Sequence, residues 1–204
     1  MSDGPKVVAA VSEDSEHLAD VLGRAFQDDP VSASWLPDTQ ERARRQRGFL
    51  KVFLDEAMAT GLVHTTPDRD GVALWQTIEP DHPAEENHLD QPVRDALGSY
   101  YEDFTLLGEQ MVASHPQDRA HGYLQFIGVE PERQNRGIGS ALIRHRLAEL
   151  DAIDMPAYLE SSSERNFALY ERLGFRRTGS AIHLPNEAVM LPMWRDPVTQ
   201  PSDQ

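Results

Sequence analysis

Residues Tyr123–Ala141 read YLQFIGVEPERQNRGIGSA: an apolar run, a short polar turn, then glycines at the opening of a helical pattern. That order suits a phosphate. Gly137 and Gly139 carry no Cβ, so a ligand oxygen can come close to the backbone. The first N–H groups of a helix have no partner within it, and several of them can converge on one anion. The aligned peptide dipoles add partial positive charge at the same end, which suits a pyrophosphate held without a metal.

The spacing separates the folds that place glycines in this way. A Walker loop needs Lys and then Ser or Thr after its second glycine, whereas Gly139 is followed by Ser140 and Ala141. The dinucleotide fingerprint needs a third small residue where this chain has Leu142, although Glu160 lies near the distance of its ribose-binding acid. What remains is Gln134-Asn135-Arg136-Gly137-Ile138-Gly139, followed by Ser140, which resembles the QxxGxG pyrophosphate loop of the GNAT acyl-CoA transferase superfamily.

Outward from the loop, Pro156–Phe175, PAYLESSSERNFALYERLGF, resembles the second half of the GNAT cofactor site: a strand, a helix carrying Asn and Tyr, and a closing Gly-Phe. Ser161 with Glu164 reads as a capping box, Leu169 and Leu173 share a helix face, and Gly174 is a stop signal. Asn166 and Tyr170 are four residues apart, so both can address one ligand.

The resemblance implies an α+β (α/β layered) acyl-CoA N-acyltransferase fold. Its central sheet is mixed and mostly antiparallel, flanked by helices. The 204 residues, 39% of them hydrophobic, suit one domain, taken as 1–195, with a Pro- and Gln-containing tail, 196–204, expected to be disordered. A first strand is expected at Val7–Val11, then a helix with Leu18, Val21, Leu22, Ala25 and Phe26 on its buried face. A second helix is expected from about Thr39 to Thr60, with strands at Leu62–Thr65 and Val72–Ile78. Between that third strand and the fourth lies an insert, in which Val93, Leu97, Tyr100, Phe104, Leu107 and Met111 form one helical stripe, with Pro92 and Gly98 as points of bending. The stripe also averages heptad spacing, which leaves both a monomer and a homodimer open.

Composition bounds the function. With no cysteine, neither a disulfide, a thiolate metal site nor a thiol nucleophile is available. A formal charge of −15 opposes nucleic-acid binding and favours cationic partners. The eight histidines show no metal-ligand spacing, and His82 and His88 fall in an acidic, Pro-containing segment read as a solvated loop, so no metal is expected. No segment has the length and apolarity of a signal peptide or a membrane span, and the expected location is cytoplasmic.

Within the superfamily the resemblance is closest to puromycin N-acetyltransferase and similar drug acetyltransferases. AFQDDPVSASWLPD from Ala25 and GVALWQT from Gly71 carry it beside the two cofactor blocks. It implies acetyl-CoA (coenzyme A) as cosubstrate and a primary amine of a small molecule, antibiotics included, as acceptor. A peptide or protein acceptor and a non-catalytic acyl-CoA-binding module are the alternatives. It also implies free backbone N–H groups at Ile127, Gly128 and Val129 for the thioester oxygen, although a strand glycine equally marks close packing.

Tyr170 corresponds to the family's general acid. A phenol near pKa 10 protonating a thiolate near 8.5 is uphill by about 2 kcal/mol. Glu160 is the candidate base, acting through water, because direct abstraction from an ammonium near 10 by a carboxylate near 4.3 is mismatched by about 8 kcal/mol. Phe26, Asp28, Asp29, Trp35, Trp75, Tyr100 and Tyr101 are candidates for acceptor recognition, aromatics to stack and carboxylates to pair with an amine.

Overall fold

The computed structural model describes residues 4–80 and 88–198; residues 81–87, with His82 and much of the acidic segment, and the end of the tail lie outside the described residues. In chain order the elements are β1 (Val8–Ala9), α1 (Ser15–Ala25), α2 (Pro30–Trp35), α3 (Thr39–Ala59), β2 (Val63–Thr65), β3 (Gly71–Ile78), α4 (Asp90–Leu97) and α5 (Tyr101–Ser114). They continue as β4 (His121–Val129), α6 (Ile138–Ala152), β5 (Ala157–Ser161), α7 (Glu164–Arg172), β6 (Arg176–Arg177), β7 (Ile182–His183) and β8 (Val189–Arg195).

The sheet order is β1-β2-β3-β4-β5-β8-β6, with β7 on β8, and β4 with β5 is its parallel pair. β3 shows why GVALW is continuously apolar: Val72 and Leu74 join α1, α3, α4 and α5 in one core, while Ala73 and Trp75 join α6 and α7 in the other. Successive residues of a strand point to opposite faces, so a strand covered on both sides cannot alternate with polar residues. Among the described residues no helix is long and apolar enough to cross a membrane.

Two local features open the middle of this sheet. Leu74 pairs with Phe126 and Trp75 with Leu124, so Gln125 is an extra residue that bulges β4. The parallel partners are Gly122 with Ala157 and Tyr123 with Tyr158, and beyond them β4 and β5 part. Gly122 is needed where they still touch, since a Cβ there would meet Leu150 at 2.6 Å.

Three expectations change. The insert is two helices rather than one stripe, because Gly98 adopts φ +58 and breaks the backbone between α4 and α5. A short helix, α2, that the sequence reading does not include starts at Asp29-Pro30: Asp29 accepts a hydrogen bond from Ser32 N–H at 2.9 Å, and Pro30 takes the first turn, where no N–H is needed. The cap of α7 is Ser163, accepting from Asn166 N–H at 3.2 Å; Ser161 is buried at the end of β5 and donates to the Ser163 carbonyl.

The edge of the second core is pinned by Arg195, which donates to both carboxylate oxygens of Asp151 at 2.7 and 2.8 Å, with side chains 8% and 17% exposed. The Arg195 hydrogen bond, followed by Val198 N–H and the guanidinium charge, holds the Asp151 carboxyl below its ordinary range. A depressed carboxylate stabilises the fold above its unfolded pKa, near 4, and loses that contribution as pH falls through the lower folded value. Asp151→Ala is expected to cost about 3 kcal/mol in urea unfolding at pH 7 by leaving Arg195 unpaired, with the loss shrinking below pH 4. An equal loss at pH 7 and pH 3 would show that the carboxylate charge contributes nothing.

Candidate active site

A cavity of about 760 Å³ lies between the end of β4, the start of α6, α7 and the α1–α2 junction. Gln134, Asn135, Gly137, Ile138, Gly139 and Ser140 all line it, whereas Arg136 does not. Asn135 and Gly137 both take left-handed backbone, φ +63 and +82, which turns the loop so that α6 starts at Ile138. The first helical bond is Ala141 N–H to the Gly137 carbonyl, 2.9 Å, and no side chain caps the helix. The N–H groups of Ile138, Gly139 and Ser140 are therefore left without an acceptor inside the helix, at the positive end of its dipole.

The two glycines are there for different reasons. Gly137 is fixed by its own backbone angle. Gly139 has no such angle, and a Cβ on it would meet nothing closer than 3.8 Å, so the protein's packing does not require a glycine there. A ligand approaching the backbone does, and the cradle fits a diphosphate on that ground.

Sequence reasoning missed the cavity's cations. Arg24, Arg133, Arg165 and Arg172 line it, and Arg165 is held by donation to Asn135 Oδ1 at 2.7 Å. Arg24 donates to Glu130 at 3.0 Å, which holds α1 to the end of β4. The available signal was Arg133 and Arg165 standing beside the two motifs in a chain of net charge −15.

The strand wall can be phased. Glu130 N–H bonds the Asp70 carbonyl at 2.9 Å, and alternate residues of an antiparallel ladder send their N–H groups the same way. Gly128 thus faces β3, while the N–H groups of Ile127 and Val129 face the gap where β5 has departed. Gly128 serves packing, since a Cβ there would meet Ala25 at 3.0 Å and Leu22 at 3.1 Å.

Tyr170 lines the same cavity, as do Asn166, Asp28 and Asp29. Tyr170 is buried, and burial first, with the Asp29 charge second, pushes its hydroxyl above the ordinary phenol range. Asp29 itself is pushed up by burial, against the hydrogen bonds it accepts from Ser162 Oγ at 2.6 Å and from α2. Both groups therefore hold protons more strongly than in water.

Glu160 sits elsewhere. It projects with Tyr158 from the opposite face of β5, accepts from the Tyr123 hydroxyl at 2.9 Å, and lies two residues past the last β4 partner, beside the gap. The aromatic acceptor candidates are mostly core. Trp75 is fully buried in the second core, Trp35 packs on Phe49 and Phe104, and Phe26 packs edge-on to Phe126. Tyr100 and Tyr101 are on the insert, where Arg94 covers the Tyr101 ring at 3.8 Å. None of these aromatics lines the cavity, and an aromatic that fills a core has the same sequence appearance as one that lines a site.

Away from the cavity, His64, His145 and Glu149 place donor atoms within 4.8 Å of one another, a set of metal-ligand types that sequence spacing did not reveal, since His64 comes from β2. Glu149 is engaged there by Arg146 at 2.8 Å.

Residues 98–177 match the family model of the GNAT acetyltransferase domain. A mycothiol acetyltransferase of Mycobacteroides abscessus is 36% identical over 73 residues, covering 34% of this chain and 25% of that protein, and a Streptomyces coelicolor protein of the same name is 32% identical over 36% of this chain and 24% of that protein. The chain thus spans about a quarter of the length of the curated relatives it matches. A Corynebacterium glutamicum structure, named histone acetyltransferase HPA2 and related acetyltransferase, is 26% identical over 98% of this chain and 99% of that one, with a TM-score of 0.67. Arylalkylamine N-acetyltransferase 2 of Aedes aegypti, 13% identical over 95% and 99% of the two chains, reaches a TM-score of 0.69 and shares the fold. This chain accordingly has the GNAT fold, and the span that matches the GNAT acetyltransferase domain model holds both the glycine loop before α6 and the Tyr170 helix.

Proposed function

We propose that the chain is an acetyl-CoA-dependent N-acetyltransferase that moves the acetyl group directly to a primary amine of a small molecule, with the cytoplasm as its setting. The observation that carries this reading is the single cavity that joins an uncapped helix start, four arginines and the Tyr170 hydroxyl. When bound, acetyl-CoA supplies an activated thioester. The Ile138–Ser140 amides, with Arg133 and Arg165, hold the diphosphate, and the Ile127 and Val129 amides stabilise charge on the thioester oxygen. Tyr170 gives its proton to the departing sulfur, and Glu160 receives the amine proton through water across the gap between β4 and β5.

A small acceptor is favoured because the Glu160 side chain is 2% exposed beside His115 at the end of α5, where a peptide would need an open groove. The sequence resemblance to puromycin N-acetyltransferase supports including amine antibiotics in the acceptors to be tested. Acetyl-CoA consumption across a panel of amine drugs, other small amines and peptides, with mass spectrometry of the products, tests the reading. Amine-dependent release of CoA thiol is the expected result. Acetylated peptides alone would replace the acceptor class, and CoA binding without thiol release would leave a binding module.

A further inference from the structure

His115, the residue that ends α5, packs edge-on to Tyr123 and Tyr158 beside Glu160. The hydrogen bonds of this cluster fix its protons. His121 Nδ1 is 2.7 Å from the Arg119 carbonyl, which can only accept, so Nδ1 carries the hydrogen. Burial disfavours a charged His121, so its Nε2 is a lone pair. His115 Nε2 lies 3.0 Å from that lone pair and must be the donor. A neutral His115 then presents the lone pair of Nδ1 to Glu160 Oε1 at 3.7 Å. Oε2 already accepts from Tyr123, Oε1 has no hydrogen-bond partner among the described residues, and the Glu160 side chain is 2% exposed.

Two lone pairs facing each other in a buried place form an empty slot for one proton. We infer that Glu160 and His115 act as one base: the acceptor's proton enters at Glu160, settles between Oε1 and Nδ1, and leaves through His115, whose side chain at 14% exposure is the partner closer to solvent. The inference rests on the acetyl transfer proposed above and assigns His115 as a relay and positioning residue for it. The atoms balance. The ammonium first gives one proton to the slot and from there to water, its freed lone pair forms the C–N bond, the C–S bond breaks, and sulfur takes the Tyr170 proton. The second nitrogen proton, lost as the amide forms, follows the first through the slot to water, from which Tyr170 is reprotonated.

The magnitudes favour a couple over a lone carboxylate. A free carboxylate lies about six pKa units below an alkylammonium, whereas a free imidazole lies only about three and a half below it. The groups facing His115 are Glu160 and Tyr158 on β5 and His121 and Tyr123 on β4, with Arg119 next to His121 in the preceding loop. The Glu160 charge, after burial, holds both tyrosines well above the ordinary phenol range, so neither competes for the proton.

The test is the pH profile of His115→Gln with the best amine of the panel. It is expected to lower kcat about tenfold to a hundredfold and to move the acidic limb of kcat/KM by at least one pH unit, with CoA affinity by calorimetry unchanged. Wild-type turnover with an unmoved limb in the variant overturns the relay and leaves the acetyltransferase reading standing; a wild type that acetylates nothing overturns both. Nitrogen-15 NMR of the histidines stands apart from turnover and from the variant's folding. It should show His115 protonated at Nε2 at high pH, with an Nδ1 signal that changes in Glu160→Gln. A His115 protonated at Nδ1, or an Nδ1 signal that does not respond to Glu160→Gln, overturns the relay.

Discussion

Replacing Tyr170 by phenylalanine is expected to lower kcat and kcat/KM together by about 10²- to 10⁴-fold, with CoA affinity retained. The hydroxyl makes no hydrogen bond to a described residue, so its removal orphans no partner, and the ring keeps its edge contact with Phe175 at 6.1 Å. Loss of stability therefore cannot mask the result, and the melting temperature should hold or rise. Burial and Asp29 raise the pKa of the phenol, which keeps it protonated over the working range but makes transfer to a free thiolate dearer than the reference difference of about 2 kcal/mol. The proton must then move as the C–S bond breaks, when negative charge on a buried sulfur is itself poorly solvated. Loss of an interaction that exists only at that moment depresses kcat and leaves ground-state binding alone, the signature sought by steady-state kinetics and CoA calorimetry. Unchanged kcat would remove Tyr170 from the chemistry and leave it a core residue of the Leu173 and Phe175 cluster.

What the sequence showed and what it hid divide along sequence distance. The phosphate cradle was legible because its whole geometry is local: two left-handed residues, a helix start and an apolar strand within twenty residues. Glu160 was visible as a strand-end carboxylate, but its partners were not. His115, Tyr123 and Tyr158 come from the insert, β4 and β5, and meet because Tyr123 and Tyr158 are register partners where the two strands still pair and His115, at the end of α5, packs edge-on to both. Trp35 and Trp75 mislead for the reverse reason, since hydrophobic burial and substrate stacking ask for the same side chain. Gly98 marked a bend correctly, yet only its positive φ shows that the stripe is cut in two.

Gly139→Glu separates the needs of the fold from those of the ligand, and it should weaken CoA binding about thirtyfold to several hundredfold in a protein that is no less stable. A Cβ at this position meets only ordinary contacts with Val129 and Ile127, so the backbone accepts a branch point there without moving. A carboxylate in the first turn of α6 also suits the helix dipole by about 0.3–1 kcal/mol, and replacing glycine in a helix adds about as much again. The melting temperature should thus hold or rise. Against the diphosphate the same carboxylate is a like charge at the uncapped amides, and at an effective dielectric near 20 a pair about 6 Å apart repels by about 3 kcal/mol before salt screening. Arg165 and Arg133 line the same cavity and can draw the glutamate aside, which sets the lower end of the range. Gly139→Ala should fall between, having bulk without charge. If calorimetry finds CoA bound as tightly by the folded glutamate variant as by the wild type, the diphosphate is not held at these amides, and every role assigned around the cavity loses its anchor.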